Sequence, residues 1–211
     1  MLAAREWSLS VYELKPRFQS LLRPLTARLH AAGATANQVT VFACVVSVAL
    51  GILLTALPGR PELFLLIPVW LFLRMAFNAI DGMLAREFGQ KSRLGAYLNE
   101  LTDVLSDAAL YLPFAVLPGS SPWLVGIIIV LSIVSEMAGV LGATVGSTRR
   151  YDGPMGKSDR AFVFGLIALL VGLDVPMATA FDWIWAAVAV LVLATIVNRV
   201  QKGLATGGDP P

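Results

Sequence analysis

Six apolar runs, roughly 39–57, 63–80, 95–117, 122–145, 159–173 and 182–200, are separated by short polar connections. An α-helix needs about 20 apolar residues to cross the hydrocarbon of a bilayer. The pattern therefore predicts six membrane-spanning helices, the fifth of them short enough that its start extends beyond the hydrocarbon. Pro58, Gly59, Pro118, Gly119 and Pro122 punctuate the connections. Ahead of the first run, Val11, Leu14, Phe18, Leu21, Leu22, Leu25 and Leu29 recur at helical spacing among Lys15, Arg17, Arg23 and Arg28. That spacing predicts an amphipathic helix over 8–32. Such a helix can lie in the cytoplasmic interface, its cations near lipid headgroups, or pack on the protein's own cytoplasmic face. The expected fold is an all-α integral membrane protein, with an N-terminal interfacial amphipathic helix followed by six transmembrane helices. Its parts are an interfacial segment 1–38, a six-span membrane domain 39–200 and a cytoplasmic tail 201–211, disordered from Gly203 to Pro211. No internal repeat is evident.

Composition agrees with a bilayer as solvent. The 211 residues are 57% hydrophobic and 14% charged, against about 25% charged in an ordinary soluble domain. The single cysteine, Cys44, lies in an apolar run, which excludes an intramolecular disulfide and suits a packing role. No removable signal peptide is expected, because Arg5, Glu6, Glu13, Lys15, Arg17, Arg23 and Arg28 precede the first apolar run. Of the 16 basic residues, 14 fall in the N-terminal segment, the connections after the second and fourth runs, and the C-terminal end. The exceptions are Arg60 and Arg74. The positive-inside rule places both termini in the cytoplasm of a cell (inner) membrane. No nucleic-acid partner is expected.

The second run leads into Asn78-Ala79-Ile80-Asp81-Gly82, and the third carries Asn99, Glu100, Asp103 and Asp107. On a helix, Asn78 and Asp81 share a face, and Asn99, Asp103 and Asp107 line one stripe over two turns. Acids in a span are costly and face a cavity, a partner or an ion. Crowded carboxylates repel unless cations or protons intervene. An oxygen-only donor set suits a hard cation such as magnesium, manganese or calcium. The structural alternative is an interhelical hydrogen-bond network. Gly82 allows close approach of a ligand to the backbone, and Ala85 keeps the helix surface low. Arg86, Lys91 and Arg93 can hold phosphate oxygens, although the positive-inside bias alone explains Lys91. Cation ligands, arginine and glycine at a lipid–water boundary suit a diphosphate whose other end is in the membrane.

The string NAIDGMLAREFGQKSRLGAYLNELTD, Asn78 to Asp103, resembles the signature of the CDP-alcohol phosphotransferases: D-x2-D-G-x2-A-R, about eight residues, then G-x3-D-x3-D. Asp81, Gly82, Ala85, Arg86, Gly95 and Asp103 match in identity and spacing. Thr35 to Thr40 is similar to the family's T-P-N-x-x-T element, and a helix cap by Asn37 or Thr35 also explains it. Gly156 to Arg160 resembles the basic segment that binds the acceptor in some members, and Ser158 or Asp159 there can also cap a helix. The resemblance implies a transferase that takes a substituted phosphate from a CDP-alcohol, CDP-diacylglycerol above all, to an alcohol with release of CMP. It implies Mg2+ or Mn2+ at Asn78, Asp81, Asn99 and Asp103. CDP and its diphosphate would contact Asn37, Thr40, Asp81, Gly82, Ala85, Arg86 and Gly95. Asp103 would be the general base. Members of the family are commonly homodimers.

The chain departs from the signature at Asn78 and Asn99, where aspartates stand in the family. Carboxamides ligate through oxygen but carry no charge, so cation binding is expected to weaken or fall to one ion. Glu100 and Asp107 are the candidate replacements. Asp107 lies on the right face and is favoured, since Glu100 is rotated about 100° from Asn99. Arg149, Arg150, Lys157 and Arg160 point to an anionic acceptor, although topology alone also predicts them. Glu136, inside the fourth run, either lines the acceptor cavity or pairs with Arg74. Two rival functions remain: a CDP-lipid binder without turnover that acts with a partner, and an ion-coupled transporter. Clustering of the acids at one surface disfavours the transporter.

Overall fold

The structure is a computed structural model that describes the backbone of residues 11–207 and side chains from Pro16 onward. Expectations placed on Arg5, Glu6, the side chains of Val11, Glu13, Leu14 and Lys15, and residues 208–211 lie outside the described residues. The described residues form α1 (Val11–Ala31), α2 (Ala36–Ala56), α3 (Leu66–Glu87), α4 (Arg93–Tyr111), α5 (Pro122–Leu141), α6 (Lys157–Gly172) and α7 (Phe181–Thr206). Short 3-10 turns, Pro61–Leu65, Leu112–Val116 and Gly142–Val145, precede α3 and follow α4 and α5. No strand occurs among the described residues. One expectation fails at the C-terminus. Residues 203–206 extend α7 rather than beginning a tail, because Gly203 is buried against Gly142 and the last turn is held in place.

Four helical stretches are long and apolar enough to cross a membrane: Ala36–Ala56, Pro61–Glu87, Pro122–Val145 and Phe181–Thr206. Only 28–33% of their apolar windows is buried inside the protein. Phe72, Trp123, Val130 and Val190 are among many large apolar side chains left exposed. Water does not tolerate continuous apolar surface on this scale, and lipid does. The protein is membrane-embedded. Two predicted spans do not meet the same standard for opposite reasons. The helix α6 has 16 residues, and α4 carries Glu100, Asp103 and Asp107 within its length.

The chain falls into two compact units, Met1–Ala43 with Leu73–Asn99, and Cys44–Phe72 with Glu100–Pro211. In the first, α1 ends in a Schellman turn: Gly33 takes φ +83°, and Ala34 N–H reaches Leu29 O at 2.9 Å. A capping box follows at once. Thr35 Oγ1 accepts from Gln38 N–H, and Gln38 Oε1 accepts from Thr35 N–H. Thr35 is therefore the cap of α2, which leaves Asn37 for another task. Gln90 fastens this turn to the α3–α4 connection. Its Oε1 accepts from Ala36 N–H at 2.7 Å, and its Nε2 donates to Ala34 O at 3.3 Å. Ala36, Val39, Ile80, Met83 and Leu84 form the core, with Leu22 and Leu29 of α1 against it. Leu21 and Leu25 stay exposed, so α1 buries one apolar edge and presents another.

In the second unit, Phe164 stacks on Tyr111 at 3.8 Å between ring centroids and on Trp185 at 5.3 Å, with Phe114 edge-on to Phe164 and Trp185. Each such ring pair adds about 0.5–1.5 kcal/mol beyond the area it buries. Close helix approach relies on small residues: a Cβ on Gly51 of α2 would collide with the Ala109 carbonyl of α4. Cys44 is buried.

The connection from α5 to α6 is pinned at several points. Arg150 N–H donates to Gly139 O at 2.9 Å, Met155 N–H to Thr195 Oγ1 at 2.9 Å and Arg199 Nε to Asp152 O at 3.3 Å. The cap of α6 is Gly156, not Ser158 or Asp159. Asp159 sits one turn inside and accepts from Gly156 N–H at 2.9 Å. Asp152 also receives Lys202 Nζ and Arg150 Nε. Hydrogen bonding from Lys202, with help from Arg150, holds its carboxyl below the usual aspartate range. A folded pKa below the unfolded one stabilises the fold above about pH 4 and ceases to do so as pH falls through the depressed value. Asp152→Asn is therefore expected to lower the melting temperature at pH 7 and to converge on wild type as pH falls through the depressed value. Melting curves in detergent across that range check it.

Candidate functional site

Two polar clusters stand out among the described residues, one in each unit. In the first unit, the Thr40 hydroxyl donates to Asp81 Oδ2 at 2.7 Å, with Ala36 O at 3.0 Å as the competing acceptor. The charged acceptor at the shorter distance wins the proton. Asp81 is 6% exposed, and the hydroxyl fixes its orientation. A Cβ on Gly82 would come 2.8 Å from Arg86 Nη2, so the guanidinium lies close against the bare backbone of α3 at this glycine. A Cβ on Gly95 would come 2.8 Å from Asn37 Oδ1, and Gly95 N–H donates to Ser92 Oγ at 2.9 Å. The freed Asn37 thus reaches the first turn of α4. Ala85 packs beside the core of the unit. Asn78 and Asn99 are half-buried, and Arg86, Lys91 and Arg93 are exposed.

In the second unit, Glu136 of α5 is the hub. Its carboxylate meets Arg160 Nη2 at 2.9 Å, Arg199 Nη1 at 3.3 Å and Arg149 Nη2 at 3.4 Å. Arg160 also meets Asp107 at 3.5 Å. Arg149 pairs closely with Glu100, and Lys157 with Asp103. Arg160 and Arg199 are 1% and 2% exposed. Both are further tied to backbone, Arg160 Nη1 to Met155 O at 3.2 Å and Arg199 Nη1 to Ser135 O at 2.5 Å. A charged hydrogen-bond network this deeply buried is stable only while every charge keeps a partner.

The structure thus brings Glu136, Arg149, Lys157 and Arg160 together with Glu100, Asp103 and Asp107. Arg150 is not among them. It turns to Asp152 at 2.7 Å because its backbone is fixed to Gly139. The basic residues expected to await an anion already have carboxylate partners. Arg199 and Gln90 were missed by sequence reasoning. Arg199 follows an apolar run and reads as a topology signal. Gln90 acts through a turn whose shape the sequence does not print.

Among the described residues, no three His, Cys, Asp or Glu side chains come together as a cation cage. Carboxamides fall outside that set. The signature here offers two carboxylates, Asp81 and Asp103, and two carboxamide oxygens, Asn78 and Asn99. This all-oxygen donor set fits a hard divalent cation, with less charge than four carboxylates would supply.

Comparison with known proteins places the chain. The model of the family "CDP-alcohol phosphatidyltransferase" matches residues 34–200. "Inner membrane protein YnbA" of Escherichia coli K12 is 46% identical over 196 residues, covering 93% of this chain and 97% of that one. A phosphatidylinositol phosphate synthase of Mycobacteroides abscessus is 27% identical over 192 residues, covering 87% and 85%. Crystal structures of the Mycobacterium tuberculosis phosphatidylinositol phosphate synthase share the fold. With CDP-DAG bound, the TM-score is 0.70 at 24% identity, over 88% of this chain and 94% of that one. With manganese and citrate, it is 0.68 at 23%, over 87% and 88%.

Proposed function

We propose, from the premise that this chain belongs to the CDP-alcohol phosphatidyltransferase family, that it moves a phosphatidyl group from CDP-diacylglycerol to an alcohol and releases CMP. The enzyme class, a membrane transferase of phospholipid biosynthesis, follows from the family itself. One observation carries the reading furthest. Two stretches distant in sequence, 35–40 and 78–95, meet in the first unit through Thr40–Asp81 and Asn37–Gly95. These are the positions the family signature assigns to the nucleotide diphosphate.

In this reading, Asn78, Asp81, Asn99 and Asp103 hold Mg2+ or Mn2+. When bound, the cation neutralises the diphosphate and the leaving phosphate. Thr40 keeps the Asp81 carboxylate turned for that role. Asn37, Gly82, Ala85, Arg86 and Gly95 receive the CDP, and the Arg86 guanidinium adds charge stabilisation at the diphosphate. Asp103 takes the proton of the acceptor hydroxyl. The hydroxyl oxygen bonds to the phosphorus that bears diacylglycerol, the bond from that phosphorus to the CMP oxygen breaks, and CMP leaves as the anion. Asp107 is held by Arg160, so it serves the acceptor side and not the cation. Glu136, Arg149, Lys157 and Arg160 line the acceptor side. The full architecture has six crossings with α4 and α6 included, α1 at the cytoplasmic interface, both termini cytoplasmic, and a homodimeric assembly.

A second reading, a CDP-lipid binder without turnover, draws on Asn78 and Asn99, which remove two charges from the cation site. One experiment separates the two. Purified protein in vesicles containing labelled CDP-diacylglycerol is given a pool of alcohols and Mn2+. Expected are CMP release, loss of that release with EDTA, and a new phosphodiester lipid by mass spectrometry. CDP-lipid binding with no CMP from any alcohol would favour the binder.

A further inference from the structure

Resting on the phosphatidyl-transfer reading above, we infer that the acceptor is an alcohol without a phosphate group, a neutral polyol, and that Glu136 and Glu100 set this choice. The inference starts from charge. In the second unit the cations Arg149, Lys157, Arg160 and Arg199 meet the carboxylates Glu100, Asp103, Asp107 and Glu136, so the cluster is neutral. Glu136 binds three of the four cations by itself. A phosphomonoester brings between one and two negative charges and seeks a bidentate arginine. Each of these arginines already has a carboxylate partner. Taking one would leave Glu136 or Glu100 facing the new anion, with a buried carboxylate uncompensated. Rejection by repulsion of this kind is a usual source of specificity.

A second observation fits a hydroxyl. Asp107, Tyr111, Ser132, Glu136 and Arg160 line a cavity of about 10 Å³, the room of a single water or hydroxyl. Ser132 Oγ and Arg160 Nε are buried there with no hydrogen-bond partner. Ser132 is 5% exposed and Arg160 1%. Such groups are costly unless something pairs with them. A single hydroxyl or water bonded to both satisfies them.

The test compares glycerol and myo-inositol with their monophosphates at equal concentration, using the wild-type protein in CDP-diacylglycerol vesicles with Mn2+. CMP release is expected to show at least a tenfold higher kcat/KM for the unphosphorylated alcohols. Glu136→Gln should shift that ratio tenfold or more toward the phosphates. Glu100→Gln, half-exposed and bonded to Arg149 alone among the cations, should do so with little cost to folding. A wild type that prefers a monophosphate, or a ratio unmoved in both variants, overturns the inference. Thermal shift without CDP-lipid gives an independent arm. Stabilisation by inositol but not by inositol phosphate supports the inference, and the reverse overturns it. Absence of CMP from every alcohol would count against phosphatidyl transfer, while the thermal arm still decides the acceptor class.

Discussion

Asp103→Asn is expected to lower CMP release by about 10²–10⁴-fold, the range that a positioned general base supplies. The residue has two roles in the proposed chemistry, and they separate by experiment. As a cation ligand, Asp103 shares its burden with Asp81, whose orientation Thr40 fixes. As a base, it has no substitute. Raising Mn2+ should therefore restore much of the activity of Asp81→Asn and little of that of Asp103→Asn. The ion pair from Asp103 to Lys157 allows a purely structural explanation, and melting curves test that. A stability loss large enough to account for the whole drop in CMP release would assign Asp103 to structure. Full activity in either variant at limiting Mn2+ would remove that residue from the site.

The second large effect runs in the opposite direction. Restoring carboxylates with Asn78→Asp and Asn99→Asp is expected to tighten cation binding by about tenfold or more for each added charge, since charge count is a main determinant of affinity for hard cations. Titration of Mn2+ against the purified protein measures this directly. The catalytic consequence distinguishes the two readings. An enzyme adapted to asparagine keeps its turnover and reaches it at lower Mn2+. A binder without turnover gains CMP release that the wild type lacks. Asp107→Asn serves as the control. Held by Arg160 at 3.5 Å, Asp107 should change cation affinity by less than about twofold. A large loss there would return it to the ligand set.

Much of this protein is legible in its sequence because a membrane imposes strict local rules. Apolar runs bounded by Pro58, Gly59 and Pro118 to Pro122 mark the helices, since a backbone in hydrocarbon must satisfy its own hydrogen bonds. The signature from Asn78 to Asp103 is local too, so its spacing fixes Asp81, Gly82, Arg86 and Asp103 on helix faces before any tertiary contact forms. Residues that act through distant partners were not legible. Thr35 and Asn37 looked equivalent as caps. Only the observed turn makes Thr35 the cap and sends Asn37 to Gly95. Arg149, Arg150, Lys157 and Arg160 looked like one basic patch awaiting an anion, because a sequence shows charges without their partners.

The sequence by itself therefore determined the membrane setting, the helices and the family's chemistry, all of which rest on periodicity and fixed spacing along one chain. The tertiary structure alone decided how charge is distributed in the second unit. It placed Glu136 among Arg149, Arg160 and Arg199, separated Arg150 from them, and gave Lys157 to Asp103. The physical reason is that ion pairing depends on distance in space. Side chains as far apart in the chain as Glu136 and Arg199 neutralise each other only once α5 and α7 have packed.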